Sequence, residues 1–443
     1  MKRLPALFLI ALAQCGADDH DTSTSPSSES FGPPIAQNPW SAPSENATQH
    51  GDTGASDSSL LPGPGPGAVD VAKLDLLAVC PSILPLRSGR MVAVCTQVLD
   101  QTPTAVLFDP EAMSTLAKLS LGKGSLFGGV YPYLDERDRL VVVDAENRLL
   151  RIATDELRIE QSTPLPVTND HVVGLIPDYE GRDWFVSERG VLGHVTREGV
   201  IATLALGERV SNSLASAPSG VALVSDQALY LLSAGPTVRA RIPYDRGTTR
   251  KPGQLSWSSG TTPTFFGPRT GSDYVAITDN ALPMKLLVVK NDGAPVCTLP
   301  LPGLDGTENS PIGAGRSVIV TSTFGYEYPA LPTDAGPATP APFVGGITRV
   351  DVGADEASCK LVWSQPLRSV ALPKLSVPEG LIYTMAQRDD GFAFSVLDAD
   401  DGALVGQQLL PGIPAPMQLS PTIAPGRRVF QGTLTSILRV SPR

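Results

Sequence analysis

A degenerate repeat of about 45 residues runs through most of this 443-residue chain, and a period of that size is the mark of one propeller blade. Its clearest copy is PKLSVPEGLIYTMAQRDDGFAFSVLDADDGALVGQQLL, residues 373–410. Four apolar runs alternate there with turn clusters at VPEG, RDDG and DDG, which reads as four short antiparallel strands. The first two runs and their turn recur from Cys80, Ser125, His171, Asn212, Thr262, Asn309, Pro373 and Ser420. The turn between them always holds Gly, Pro or Asp, as tight hairpins require. Successive starts lie roughly 41 to 50 residues apart. One interval is longer, because a Pro/Ala-rich loop at 327–343 follows the second strand of its copy. The last copy runs out after a third strand, QGTLTSILRVSPR. The missing strand is expected from AVDVAKLDLLAV, 68–79, since pairing the two chain ends in one blade leaves no long exposed edge. The expected fold is all-β: an eight-bladed β-propeller over 68–443.

Composition agrees with this and narrows the partners. The chain holds 42 Gly and 42 Pro with only 18% charged residues, a turn-rich balance that favours sheet over helix. Its net charge is −11 and the body has no basic run, which argues against nucleic acid and against an anionic membrane surface as partners.

EGLIYT (379–384) and SVLDADDG (395–402) match the form DG-x-(V/I)-Y followed by L-x-A-L-D-x-x-T-G, and LVVVDAENRLLRI (140–152) matches it more loosely. In these motifs the chain resembles the quinoprotein-like propeller superfamily, which includes enzymes that use pyrroloquinoline quinone. The resemblance implies eight blades; fold alone does not imply function. The alcohol dehydrogenases of that superfamily hold the quinone with an adjacent-cysteine disulfide and a stacking tryptophan. Here no two cysteines are adjacent, and of the four tryptophans only Trp257 falls near the expected channel mouth, so pyrroloquinoline quinone is not expected.

The N-terminus reads as an export signal over residues 1–15: MKR supplies the positive start and LPALFLIALA the apolar core. That core is shorter than the ~20 residues needed to span a bilayer. It runs into LAQC, Leu12 to Cys15, which resembles the bacterial lipobox, with Gln14 where Gly or Ala is usual. Two outcomes follow: lipidation of Cys15, with the lipid as the sole membrane contact, or plain secretion after cleavage at Ala13. Residues 16–67, rich in Ser, Asp, Gly and Pro, read as a disordered tether that cannot bury enough surface to offset its entropy. Asn46-Ala-Thr48 within it matches a glycosylation sequon. Setting Cys15 aside leaves Cys80, Cys95, Cys297 and Cys359, an even set suited to disulfides in an oxidising compartment. Three pairings are possible; the local pair Cys80–Cys95 could cross one hairpin, leaving Cys297–Cys359. None is spaced as CxxC, which argues against thiolate metal sites.

Strand parity locates a candidate site. Residues just before a blade's innermost strand and just after its second strand share one mouth of the central channel. The repeat delivers there Asp170 and His171, Asn212, Thr261 and Thr262, Asp279 and Asn280, Glu308 and Asn309, Tyr326, and Lys374. Polar residues at such places also cap loops, and that structural role competes for each of them. As a binding site the group suits a polar small molecule, a glycan or a peptide. Asp279, Asn280, Glu308 and Asn309 offer hard oxygen ligands, a set that favours calcium over zinc. Asp170–His171 could form a base with its orienting carboxylate. HExxH, GxSxG, the P-loop and the Rossmann glycine pattern are all absent. The expectation is an exported monomer, lipid-anchored in a bacterial envelope or secreted, that acts as a binding or scaffold module. A calcium-dependent hydrolase of the lactonase kind is the alternative, ahead of a quinone oxidoreductase.

Overall fold

Each repeat folds as one antiparallel four-stranded sheet. In the computed structural model, which describes residues 31–43, 46–123, 130–233, 235–328 and 339–443, the innermost strands are Ala78–Pro85, Tyr133–Leu134, Val172–Pro177, Val210–Ala217, Thr264–Phe266, Ile312–Ala314, Lys374–Ser376 and Thr422–Ala424. They define blades 1 to 8. In blades 1 to 7 the next three strands follow outward in chain order. Blade 1 shows why the sequence folds this way. Ala78–Pro85 is buried at every position, between neighbouring blades, whereas the outermost strand Ser114–Ser120 is largely exposed. Continuous apolar runs therefore stack inside, and mixed runs face water.

The chain ends meet as expected. Val69–Asp75 is the outermost strand of blade 8 and pairs antiparallel with Ser436–Pro442, from Val69 opposite Pro442 to Asp75 opposite Ser436. The 68–79 segment does not form one strand throughout. It breaks at Leu76–Leu77, with Leu77 in the left-handed region, and Ala78 begins blade 1.

The core is divided among the blade junctions. Leu84, Val94 and Leu107 of blade 1 meet Leu134, Val142 and Ile152 of blade 2. The ring closes where Phe430 and Ile437 of blade 8 pack on Ile83 and Phe108 of blade 1. Blades 2 and 3 share a charged centre: Arg151 is buried between Asp135 (3.2 Å) and Asp183, and Asp183 also accepts the Tyr133 hydroxyl. Two disulfides pin the framework. Cys80–Cys95 joins the first two strands of blade 1, and Cys297–Cys359 joins the outermost strands of blades 5 and 6.

The expected tether is corrected over 31–67. Residues 1–30, including the signal segment and Cys15, lie outside the described residues, as do 329–338 of the 327–343 loop. From Phe31 onward the segment lies against the propeller. It places Phe31 in the junction of blades 6 and 7, Ala42 and Ala47 in that of blades 1 and 2, and Ala55 in that of blades 4 and 5. Its carbonyls accept hydrogen bonds from innermost-strand amides around the ring. Ala47 O takes Leu134 N (2.8 Å), Thr53 O takes Ser216 N (2.7 Å), Gly54 O takes Phe265 N (2.8 Å) and Ser56 O takes Gly313 N (2.9 Å). Ser58–Ser59 then adds a parallel strand inside Lys374–Ser376. Innermost edges carry backbone groups that need partners, and this segment meets that need at blades 2 to 8. Composition predicts disorder only when no such template exists. Gly54 permits the close approach, since a Cβ there would sit 2.7 Å from Ile35 Cδ1 and 3.2 Å from Phe265 Cβ. The sequon asparagine, Asn46, is buried with its amide on Ile423 O, so it is not an acceptor for a glycan in the folded protein.

Candidate functional site: a blind channel floored by the N-terminal segment

The ordered segment closes the channel at the end where the first and second strands turn. What remains is a blind cavity of about 480 Å³ opening at the other mouth, within the range of small-ligand pockets. Its floor is built partly by Gln49 and His50 of the segment, together with Tyr131, Thr262, Glu308 and Tyr328. Val79, Val173, Leu372 and Met417 give apolar wall. The rim carries His171, Glu188, Arg209, Asp226, Arg246 and Trp257. Rim charges are matched: Arg209 pairs with Glu188, and Arg246 pairs with Asp226 (3.1 Å) while lying 3.9 Å over the Trp257 ring.

Beneath the floor lies a buried chain of charge. Lys374 Nζ donates to Asp57 Oδ1, and Asp57 Oδ2 bonds His50 Nδ1 at 2.9 Å. Asp57 N also donates to His50 O (3.0 Å), closing the loop on itself. An ionised Asp57 accepts only, so Nδ1 carries the hydrogen, and in the neutral imidazole Nε2 presents its lone pair. That Nε2 is buried without a hydrogen-bond partner among the described residues. Beside it the Tyr131 ring stacks on the imidazole, centroids 6.4 Å apart.

Glu308 is the second unusual group. Burial raises its carboxyl to about 8, against the opposing pull of the Leu255 amide, Arg250 and the Ser256 amide. It is therefore mostly protonated at neutral pH and can donate. Burial and the nearby Glu308 likewise raise the Tyr131 and Tyr328 hydroxyls, which stay protonated. The Glu308 shift has a direct consequence for stability. The folded state holds this proton more tightly than the unfolded chain, so the stabilisation is complete below pH ~4.5 and is lost as pH rises toward about 8. Glu308→Gln should flatten that part of the stability–pH curve, read as unfolding midpoints between pH 5 and 9.

The sequence-predicted residues divide. His171, Asn212, Thr262 and Glu308 line the cavity. The others serve the scaffold around it. Asp170 caps its loop, taking His171 N (2.9 Å) and Arg189 N (3.0 Å), while the His171 ring faces Glu188 at 3.7 Å. Asp170, His171 and Glu188 form the group of metal-ligating side chains that the fold brings together among the described residues. The four oxygen donors suggested for calcium are not gathered. Asp279 binds Ala281 N and Lys285 N, and Asn280 holds the carbonyls of Arg246 and Thr249. Asn309 donates to Gln418, which itself lines the cavity. Thr261 bonds Ser259, Tyr326 packs against Tyr328 and Phe343, and Lys374 is spent on Asp57.

His50, Asp57, Tyr131 and Tyr328 were missed. The first two lie in the segment read as tether, where a histidine followed by Gly51 and Asp52 was the only hint. Tyr131 does obey the parity rule. It escaped because the blade 2 copy was started at Ser125, whereas its innermost strand is Tyr133–Leu134. Nor does the cavity suit the quinone of the dehydrogenases: neither disulfide is among its lining residues, and Trp257 stands on the rim under Arg246 and not at the floor.

No protein-family model matches the chain, and no curated protein matches it in sequence. Solved structures do match in fold. BamB from Moraxella catarrhalis is 13% identical with a TM-score of 0.55, covering 85% of this chain and 97% of that one. A europium-containing methanol dehydrogenase is 9% identical with a TM-score of 0.59, over 90% and 98%. The quinohemoprotein alcohol dehydrogenase from Comamonas testosteroni is 10% identical with a TM-score of 0.58, over 92% and 81%. With its eight blades and closing terminal strand, the chain has the quinoprotein-like eight-bladed β-propeller fold.

Proposed function

We propose that this protein is an exported binding module of the cell envelope whose ligand, a small polar molecule, enters the blind cavity. One observation carries the reading: the cavity floor gathers the buried Nε2 of His50 and the Tyr328 hydroxyl, neither with a hydrogen-bond partner among the described residues, together with the protonated carboxyl of Glu308. Burying unpaired polar groups costs about 1–3 kcal/mol each, a cost that a ligand's own donors and acceptors would recover. The matched rim charges favour an uncharged ligand, and the closed floor favours a compact one over a glycan chain or a peptide. A melting-temperature screen of uncharged polar metabolites tests this. At least one should raise the melting temperature of the wild type by several degrees and lose most of that effect in Glu308→Gln, while Asp279→Ala responds as the wild type does. No shift from any compound would sink the proposal.

Export rests on the signal-like start and on the two disulfides, which suit an oxidising compartment. Anchoring rests on LAQC. In a bacterial host, Cys15→Ala should move the protein from the membrane fraction to the soluble one; an unchanged distribution would leave plain secretion.

A further inference from the structure

We infer that the cavity floor is a hydrolytic site, in which His50 acts as general base on a water that attacks the carbonyl carbon of a small, uncharged ester or lactone. The inference rests on the cavity being the ligand site.

The geometry around His50 is what carries it. The imidazole is oriented at Nδ1 by a carboxylate that is itself locked by Lys374 and by the loop's own backbone. A base held by a third group, with its other nitrogen free, is the arrangement that activates a nucleophile. A purely structural histidine accounts poorly for this, because filling the plug does not require a buried lone pair with no donor. The same cavity lining carries protonated oxygens. Glu308 lies near enough to Tyr131 and to Tyr328 to raise both hydroxyls, and Tyr131 shares a hydrogen bond with Thr262. One acceptor and several O–H donors lining the same cavity are the groups that acyl transfer needs: a base for the water, and donors for the oxygen on which charge develops. Matched charges on the rim and apolar wall around Val79, Leu372 and Met417 select a substrate without net charge.

The step balances without a metal or a redox partner. A water oxygen bonds to the carbonyl carbon as one of its protons passes to His50 Nε2. The carbonyl electron pair moves onto oxygen, which the floor hydroxyls bind. Collapse breaks the carbon–oxygen bond to the leaving group, and the proton on Nε2 passes to that oxygen. An acid and an alcohol leave through the open mouth; a lactone gives one hydroxy acid. Asp57 is a positioning residue in this scheme.

The test uses the purified mature chain with p-nitrophenyl acetate, p-nitrophenyl butyrate and δ-valerolactone, with binding of each followed separately by calorimetry. The expected result is saturable turnover of at least one probe. His50→Gln should lower kcat about 100-fold or more with KM little changed and a melting temperature near that of the wild type. Turnover should also fall as pH rises through about 8, and the fall should vanish in Glu308→Gln; Arg250, Tyr131 and Tyr328 are the titratable or charged groups acting on that carboxyl. If His50→Gln does not fold, carbethoxylation of the wild type with diethyl pyrocarbonate replaces it, with loss of turnover on modification and recovery with hydroxylamine. Turnover that survives loss or modification of His50, or no turnover of any probe, overturns the inference. Binding without turnover overturns the chemistry alone and leaves the binding reading standing.

Discussion

Asp57→Ala is expected to destabilise the protein by about 3–5 kcal/mol, the usual result of stripping one partner from a buried ion pair. Among the described residues, Lys374 Nζ would keep the Gln49 carbonyl, at 3.2 Å, as its hydrogen-bond partner, in a place where its side chain is 2% exposed. His50 Nδ1 would lose its acceptor as well. The damage should appear first in the plug. Asp57 and Ala55 both hold left-handed backbone (φ 51° and 54°), a conformation that persists only when its surroundings enforce it. Limited proteolysis should therefore cut the variant within 46–67 before the blades. Asp57→Ala/Lys374→Met should recover much of the loss, because an apolar pair leaves no uncompensated charge. A variant as stable as the wild type, with an uncut plug, would show that the ion pair does not hold the segment.

Arg151→Met should cost a similar 3–5 kcal/mol, at a site far from the cavity. Arg151 separates two buried carboxylates, Asp135 at 0% and Asp183 at 2% side-chain exposure. Burial already raises the Asp183 carboxyl, with Arg151 as the main opposing influence. Without the guanidinium, Asp183 must take up a proton or face Asp135 without its main counter-charge at the junction of blades 2 and 3. Chemical denaturation would show a lower midpoint and a partial rescue in Arg151→Met/Asp183→Asn. Cavity ligands should still bind the folded variant, which distinguishes this lesion from that of Asp57. Arg139, bonded to Asp135 at 2.8 Å, limits the loss on that side.

Much of the architecture was legible because a propeller repeats its physics. Each blade needs an apolar inner strand, a tight turn and a mixed outer strand, and these leave a period of about 45 residues in the chain. The closing strand was also legible, since the eighth repeat lacks one and the residues before the first supply it. Parity placed His171, Asn212, Thr262 and Glu308 at one mouth. It could not tell which polar side chains face the channel and which turn back to cap loops, as Asp279 and Asp170 do, because the two choices differ by one hydrogen-bond partner and not by sequence position.

The segment before the propeller is where sequence and structure part. Its Ser, Asp, Gly and Pro content lacks the apolar surface to fold alone, and local composition contains nothing else. Its order comes from innermost strand edges of blades 2 to 8, contributed from around the ring, whose amides and carbonyls accept it as a partner. Blade number, order and closure were thus determined by the sequence through periodicity. The plugged channel, the Lys374–Asp57–His50 chain and the neutral Glu308 were decided by tertiary structure, because each depends on burial and on partners distant in the chain, 317 residues apart for Lys374 and Asp57 and 53 for Glu308 and Leu255.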